Sequence, residues 1–330
     1  MPADTARAVA APGRPGSGWA SRLRLMSGLV LMTYVVMHLL NHALGLVSLE
    51  AMDAGRPLLG SFWVSMPGEL LLLTAFATHL VLGLARLWQR RTWRMPVREA
   101  LQLLLALLIP VLGTLHVLGA RWLVHCCDVR VTYPFVLLGL WPDMAWRQTA
   151  FTLAVWLHGC IGLHAWLRLK AGYGAWRPWL LVAAVLVPVL GLLGFVNGGR
   201  EVARRIVTEP DWVPRMAAEH HWPDLETVAR LYRLEAYLVL GFLVLVGAVG
   251  TASVGRQLRG RLRDRVRIAY DGGLQTLAPR GMTLLDALKK IKVLSESVLA
   301  VRNGEMILDD EILKDGDVIK LVAVISGGAQ

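Results

Sequence analysis

The chain has 330 residues, of which 55% are hydrophobic and only 18% are charged. Soluble domains usually carry about 25% charged residues, so this composition excludes a single soluble core and an intrinsically disordered chain. Three cysteines are too few for a disulfide framework, which also excludes a small disulfide-rich secreted fold.

The net charge of +11 is unevenly distributed along the chain. Residues 1–265 contain 27 Lys and Arg against 15 Asp and Glu, whereas residues 266–330 contain 8 against 9. The excess positive charge therefore belongs to the hydrophobic part of the chain. This distribution favours a membrane protein, and we expect no nucleic acid partner.

The chain begins with residues 1–23, which are rich in Ala, Pro and Gly and predict a disordered cytoplasmic leader. Six apolar segments follow, each long enough to cross a bilayer as a helix. They cover approximately residues 24–48, 68–89, 99–122, 149–169, 177–197 and 231–254. Residues 24–254 are therefore predicted to form an all-α six-helix transmembrane bundle in contact with membrane lipid.

Lys and Arg are concentrated in alternate connections between these segments. The leader, the turns at 86–98 and 168–177 and the segment 255–265 hold 17 of them, whereas the other three connections hold 10. Positively charged segments resist translocation across the membrane. The pattern predicts a multi-pass protein of the cell inner membrane with both termini in the cytoplasm.

After the sixth apolar segment, residues 255–265 form a basic juxtamembrane linker. Residues 266–330 then show two predicted strands, a helix that begins after Thr283, and two further strands. The order β-β-α-β-β within about 65 residues is typical of a small α+β domain of the β-grasp (ubiquitin-like) type, which we expect on the cytoplasmic side.

Histidines stand out within the apolar segments: His38, His79, His116 and His158 each fall in a different predicted helix. An ionisable side chain at bilayer depth is costly and needs a partner. For any single histidine, a hydrogen bond to a neighbouring helix explains its presence. Four helices with one such histidine each indicate a shared role.

The depths of these histidines sort them into two pairs. At 1.5 Å rise per residue, His79 and His158 lie about 15 Å from the cytoplasmic ends of their helices, and His38 and His116 lie roughly 21–26 Å from theirs. A haem with two axial histidines needs neutral imidazoles from different helices at one depth. The sequence therefore predicts two haem b groups at two heights in the membrane.

The same residues carry a family resemblance. The segments Arg24–Leu29 and Tyr34–His42, together with His79–Gly83, Leu115–Val117 and His158–Leu163, resemble the dihaem cytochrome b membrane anchor of succinate dehydrogenases and fumarate reductases. The resemblance implies that His38 and His116 ligate one haem and that His79 and His158 ligate the other. It also implies electron exchange with a membrane quinone. His42 lies one helical turn from His38 and is an alternative ligand.

The anchors of this family usually have five helices. A sixth helix with a soluble tail resembles instead the six-helix membrane anchor of ferredoxin-containing bacterial adenylate cyclases, and Tyr270–Gly273 and Pro279–Leu285 look like the opening of a β-grasp ferredoxin. No cysteine follows Cys160, which excludes a thiolate-bound cluster in the tail. No cyclase domain is present in the sequence.

From about Ser297 the tail resembles the β-grasp sulfur-carrier proteins of thiamin and molybdopterin synthesis, through Val301–Glu305, Leu313–Asp317 and Val324–Gly328. Those carriers react through a free C-terminal Gly-Gly carboxylate. Here Ala329 and Gln330 follow Gly327 and Gly328, so carrier chemistry requires their removal. A docking module, a carrier and a recombined junction within the tail all stay open.

Other polar residues have weaker functional signals. Arg86, His164 and Arg168 lie near the predicted cytoplasmic helix ends, where they would contact headgroups, haem propionates or a quinone carbonyl. The neighbouring cysteines Cys126 and Cys127 are not expected to bridge each other, since adjacent cysteines rarely do so.

These observations favour a membrane-integral dihaem cytochrome b that exchanges electrons with the quinone pool or senses its redox state for a cytoplasmic domain. The alternatives are a non-haem anchor that presents a β-grasp docking or sulfur-carrier module, and a transporter with a histidine proton relay. No nucleotide-binding loop or nucleophile elbow indicates an autonomous enzyme. A homodimer is compatible with either function.

Overall fold

The computed structural model describes residues 17–90, 93, 95–261, 266–270, 273–277, 281–302, 304–314 and 316–323. Two compact units can be distinguished. One comprises Ala20–Gly83 and Pro96–Val246, and the other comprises Leu84–Met95 and Gly247–Gln330 together with the N-terminal residues through Trp19. Each unit is described by itself.

Six helices are long and apolar enough to cross a membrane, as the sequence predicts, so the protein is a multi-pass membrane protein. They are α1 (Ser17–Ala43), α2 (Met66–Trp88), α3 (Val97–Val117), α4 (Ala145–Leu167), α5 (Tyr173–Thr208) and α6 (Leu225–Arg261). The predicted fold class, a six-helix bundle followed by a small mixed-sheet domain, is confirmed.

The helix ends differ from the sequence-based boundaries. Helix α1 begins at Ser17, so residues 17–23 of the expected disordered leader are helical; the rest of the leader, residues 1–16, lies outside the described residues. Helix α6 continues to Arg261, through most of the expected linker 255–265. Hydropathy detects only the apolar part of a helix, whereas charged residues such as Arg22 and Arg256 do not interrupt its hydrogen bonds.

Short helices connect and extend the long ones. They are Leu44–Leu46, Leu49–Ala54, Arg56–Leu59 and Ser61–Val64 after α1; the π-helical turn Leu118–Trp122 and the helix Leu123–Cys127 after α3; and the helices Tyr133–Leu140 and Trp212–Glu219. Ser48 and Thr132 cap two of them with their side chains. Their apolar residues, including Met52 and Leu137, pack into one core with Phe195 and Val202 of α5.

Glycines allow α5 to approach the end of α1 closely. A Cβ atom on Gly194 would lie 1.9 Å from the His42 carbonyl oxygen, and one on Gly45 would lie 2.5 Å from the Gly194 carbonyl oxygen. The side chain of Asn197 donates a hydrogen bond to the Gly45 carbonyl at 2.8 Å. Small residues permit such contacts between membrane helices, and here they fix the segment of α1 that carries two histidines.

The C-terminal domain is a five-stranded mixed sheet with one helix. Its elements are β1 (Val266–Tyr270), β2 (Gly273–Leu277), α7 (Leu284–Lys290), β3 (Val298–Arg302), β4 (Glu305–Met306) and β5 (Val318–Ala323). The strand order is β2-β1-β5-β3-β4, with β1 and β5 parallel and the other pairs antiparallel. The two-residue strand β4 was not predicted, because two residues give no alternating pattern.

The core of this domain lies between the sheet and α7. Ile268 of β1, Leu284 and Leu288 of α7, and Ile319 of β5 are almost fully buried. Thr283 caps α7 with a capping box, in which its hydroxyl accepts from the Asp286 backbone N–H and the Asp286 carboxylate accepts from the Thr283 backbone N–H. The domain thus has a hydrophobic core of its own.

Replacement of Gly194 by alanine is expected to destabilise the bundle, because the new methyl group would overlap the His42 carbonyl and push α1 and α5 apart. Overpacking of this kind costs about 1–3 kcal/mol. Thermal unfolding of the detergent-solubilised protein should show a lower Tm. Gly241→Ala in α6 is the matched control, since its Cβ would meet no atom within 4 Å. Equal Tm values for the two variants would contradict the close contact.

Candidate functional site

Four histidines meet in two pairs between the membrane helices. The ring centroids of His38 on α1 and His116 on α3 are 6.0 Å apart, and those of His79 on α2 and His158 on α4 are 6.1 Å apart. The ring planes are inclined at 68° and 83°. These are the two pairs that the depth calculation from the sequence brings together.

The His79 ring is held by the first turns of α1. Its Nδ1 lies 3.1 Å from the Arg24 carbonyl oxygen and 3.3 Å from the Ser27 hydroxyl. A carbonyl oxygen only accepts, so Nδ1 carries the proton and Nε2 of the neutral ring keeps its lone pair. Gly28 leaves room for the ring, since a Cβ there would lie 3.0 Å from His79 Cε1.

His158 is held by Gln102 of α3 in a similar way. Its Nδ1 lies 3.2 Å from the Gln102 carbonyl oxygen, and the Gln102 side-chain amide donates to the His158 carbonyl at 3.0 Å. The same amide nitrogen lies 3.5 Å from His158 Nε2, at the outer limit of a hydrogen bond. Nδ1 therefore carries the proton in this ring as well.

The His38–His116 pair has a more aromatic environment. The His38 ring stacks on Tyr34 at 5.4 Å, and the His116 ring packs against Phe151 at 5.6 Å. His38 Nε2 is buried and has no hydrogen-bond partner among the residues that the structure describes. A buried unpartnered nitrogen next to a second imidazole is unusual, because burial without a partner is costly.

The rings around the alternative ligand His42 differ from those around His38. Its ring packs against Tyr133 at 5.3 Å and Phe195 at 6.3 Å, in addition to His38 at 4.6 Å. Burial raises the pKa of Tyr133, which lies outside the membrane-spanning helices. The geometry thus pairs His38, not His42, with the histidine of α3.

The remaining site residues predicted from the sequence are His164, Arg86 and Arg168. His164 Nδ1 forms a 2.6 Å hydrogen bond with the Tyr173 hydroxyl at the start of α5. The side chains of Arg86 and Arg168 are exposed. Their proposed contacts with headgroups, propionates or a quinone stay predictions.

Sequence reasoning missed several polar contacts. Glu69 on α2 forms an ion pair with Arg121 on the π-helical turn, and His125 Nε2 lies 2.9 Å from the same carboxylate. The next two residues, Cys126 and Cys127, are joined by a disulfide, which corrects the expectation that they do not bridge each other. A charged residue in an apolar segment indicates a partner nearby in the fold, as Glu69 and Arg121 do. The sequence does not indicate that these two residues pair with each other, because they are 52 residues apart.

Within the described ranges, no group of three or more His, Cys, Asp or Glu side chains is arranged to hold a metal ion. A metal centre built from protein ligands alone is therefore not formed by these residues. Each pair brings two imidazoles together, and imidazole nitrogens are among the protein groups that ligate haem iron.

In the C-terminal domain, Arg302 of β3 is nearly buried and pairs with two carboxylates, Glu311 at 2.5 Å and Asp317 at 3.1 Å. Burial acts to lower the pKa of Arg302, but the two carboxylates outweigh it and the pKa is raised. This cluster ties β3 to the segment that leads into β5. The Gly327-Gly328 sequence and the residues after it lie outside the described residues.

Comparison with known proteins concerns the tail. Residues 257–328 match the model of the ThiS family, which supports the sulfur-carrier resemblance inferred from the sequence. No solved structure matches the chain. The protein therefore combines a multi-pass bundle with a C-terminal β-grasp domain that is similar to the ThiS family.

Proposed function

We propose that the protein is a membrane-integral dihaem cytochrome b in which His38 and His116 ligate one haem b and His79 and His158 ligate the other. The observation that supports this proposal is that four helices contribute one histidine each and that the four rings meet in two pairs about 6 Å apart.

The separation of the rings fits a shared metal ion. A metal–imidazole bond is about 2.0–2.1 Å long and a ring nitrogen lies about 1.2 Å from its centroid, so two imidazoles on one metal have centroids about 6.4 Å apart. The distances here, 6.0 and 6.1 Å, are within 0.4 Å of that value. Ordinary histidine–histidine hydrogen bonding would not require this arrangement twice.

The nitrogen chemistry supports the same proposal. His79 and His158 hold their protons on Nδ1, which leaves Nε2 as an electron-pair donor. His38 offers a buried Nε2 without a partner. When bound, the two haems would supply one-electron redox chemistry, while the helices keep the imidazoles neutral, oriented and away from water.

We further propose that the electrons come from or go to the membrane quinone pool, either in electron transfer or in redox sensing for the C-terminal domain. The resemblance to cytochrome b anchors of the succinate dehydrogenase type supports this role. The polar residues His164, Arg168 and Arg86 at helix ends are candidates to contact the quinone carbonyl or the propionates. The distribution of positive charge supports a location in the inner membrane with both termini in the cytoplasm.

A second candidate function is favoured by the ThiS match. In this alternative the bundle binds no haem and anchors a β-grasp module for docking or sulfur transfer. Both functions share the observed architecture, a membrane bundle continuous with a β-grasp domain. They differ in whether the histidine pairs hold iron and in whether Gly328 becomes the C-terminus.

The purified protein is expected to contain two haems per chain, because each of the two histidine pairs would hold one haem. Dithionite reduction should produce the absorption bands of low-spin haem b, and a pyridine haemochrome assay should give the stoichiometry. A folded protein that stays colourless after expression with excess haem would contradict the cytochrome and favour the anchor.

Replacement of His79 by alanine should remove one haem and keep the other, since it deletes a ligand from one pair only. His42→Ala is the matched control within the same bundle and should keep both haems. Loss of both haems from a correctly folded His79→Ala protein, or loss of one from His42→Ala, would contradict the proposed pairing.

The carrier alternative predicts a processed C-terminus. Intact-mass analysis of the protein from its native membrane should show a chain that ends at Gly328, with a thiocarboxylate mass shift, if the tail carries sulfur. A chain that retains Ala329 and Gln330 in every preparation would leave docking as the function of the domain.

A further inference from the structure

We infer that Ser27, Gly28 and Gln102 are positioning residues that hold the His79–His158 pair with both Nδ1–H groups turned outward and both Nε2 atoms left as electron-pair donors. The positioning itself rests only on contacts among protein residues. Its consequence for redox chemistry rests on the proposed dihaem function.

Ser27 takes part in a local network that fixes His79. Its hydroxyl donates to the Arg24 carbonyl at 3.0 Å and lies 3.3 Å from His79 Nδ1, which itself lies 3.1 Å from that carbonyl. Ser27 is only 7% exposed, so water does not substitute readily for these bonds. The Nδ1–H group of His79 is thus shared between two oxygen acceptors on α1.

Gly28 sets the position of the same ring. A Cβ atom there would lie 3.0 Å from His79 Cε1 and 3.3 Å from Nδ1, closer than side chains normally pack. A methyl group would therefore displace the ring from its acceptors. A ring that is also bound to a metal has little freedom to yield.

Gln102 clamps the opposite histidine through a reciprocal pair of bonds. Its backbone carbonyl accepts from His158 Nδ1–H at 3.2 Å, and its side-chain amide donates to the His158 carbonyl at 3.0 Å. The side-chain bond keeps α3 and α4 in the register that brings the backbone carbonyl to the imidazole. A glutamine within the Leu-rich segment of α3 has no other evident reason to be there.

Such hydrogen bonds change the properties of an imidazole as a ligand. Donation from Nδ1–H to an oxygen raises the electron density on the other nitrogen, which stabilises oxidised iron and lowers the midpoint potential. The His38–His116 pair has a different environment, because His38 meets the rings of Tyr34 and His42 and His116 forms a hydrogen bond with the side chain of Gln148 instead of a backbone carbonyl. The two haems should therefore have different potentials and respond differently to substitutions on α1.

Ser27→Ala is expected to raise the midpoint potential of one haem and leave the other unchanged. Loss of a hydrogen-bond partner of a ligating histidine typically changes metal affinity or activity by about 10–100-fold. A shift of the reduction equilibrium at the lower end of that range, tenfold, corresponds to about 59 mV for a one-electron couple. Spectroelectrochemical titration resolves the two components. Ser27→Thr, which keeps the hydroxyl, should restore the original value.

Ser253→Ala is the matched control for this experiment. Ser253 is also buried and its hydroxyl also donates to a backbone carbonyl, that of Arg90, but within the described part of the chain it has no hydrogen bond to a histidine. Its removal should leave both potentials unchanged. A shift of both components in Ser27→Ala, or of neither, would overturn the positioning role.

Gly28→Ala tests whether the space left by Gly28 sets the position of the His79 ring. It should shift the same component or reduce haem content to one per chain, whereas Gly83→Ala on α2 should have no effect, because a Cβ on Gly83 meets nothing within 4 Å. Identical spectra and potentials for the two alanine variants would contradict the role of Gly28. Gln102→Leu provides a further variant on the other side of the pair.

The tautomers can be measured without haem, so failure of the proposed function and failure of this inference are distinguishable. ¹⁵N NMR of the histidine-labelled apoprotein should show His79 and His158 protonated on Nδ1, assigned by loss of each signal in the alanine variants. A protein that binds no haem but shows these tautomers would contradict the proposed cytochrome function and support the positioning role of Ser27, Gly28 and Gln102. Protonation on Nε2 in both rings would overturn the positioning whether or not haem is bound.

Discussion

The structure depends on where imidazole groups find partners inside an apolar bundle. A polar ring that enters hydrocarbon without a partner is destabilising, so its position and its partner must be specified together. Here four helices each bring one histidine to a point where a second helix brings another. Helices α1 and α5 approach each other closely where Gly194 meets the His42 carbonyl, one helical turn after His38.

The two pairs differ in the partners that their imidazole rings have within the apolar bundle. His79 and His158 turn their protons to backbone carbonyls, which are fixed acceptors that no side-chain motion removes. His38 lies between Tyr34 and His42, and its Nε2 is left without a protein partner among the described residues. His116 forms a hydrogen bond with the side chain of Gln148, so this pair combines aromatic contacts with a side-chain partner. If the pairs hold the two haems proposed above, these different environments would give the haems different potentials.

The six-helix fold and the pairing of the histidines could be predicted from the sequence, because both follow from the length of the apolar segments and the position of each histidine within them. An apolar segment of 20 residues specifies a spanning helix, and a rise of 1.5 Å per residue places each histidine at a depth. The partners of those histidines could not be predicted in this way. The acceptors of His79 and His158 are backbone carbonyls, which every residue carries, and the contacts span 55 and 56 residues. The predicted helix ends were also wrong, because hydropathy locates the apolar segment that crosses the bilayer, and the helices continue beyond that segment.

The end of α2 and the end of α6 contact each other within one compact unit. Near the end of α6, the Ser253 hydroxyl donates to the Arg90 carbonyl at 2.9 Å, and the Arg256 guanidinium lies 3.8 Å from the centre of the Trp88 ring and donates to the Trp88 carbonyl. Trp88 ends α2, the helix that carries His79, and α6 continues to Arg261, five residues before β1. If the protein senses redox state as proposed above, these contacts at the ends of α2 and α6 are where a movement of α2 would reach α6. Rigid elements in contact carry coupling only if they have two arrangements, so a sensory role requires that α6 shift against α2 when the state of the histidine pair changes.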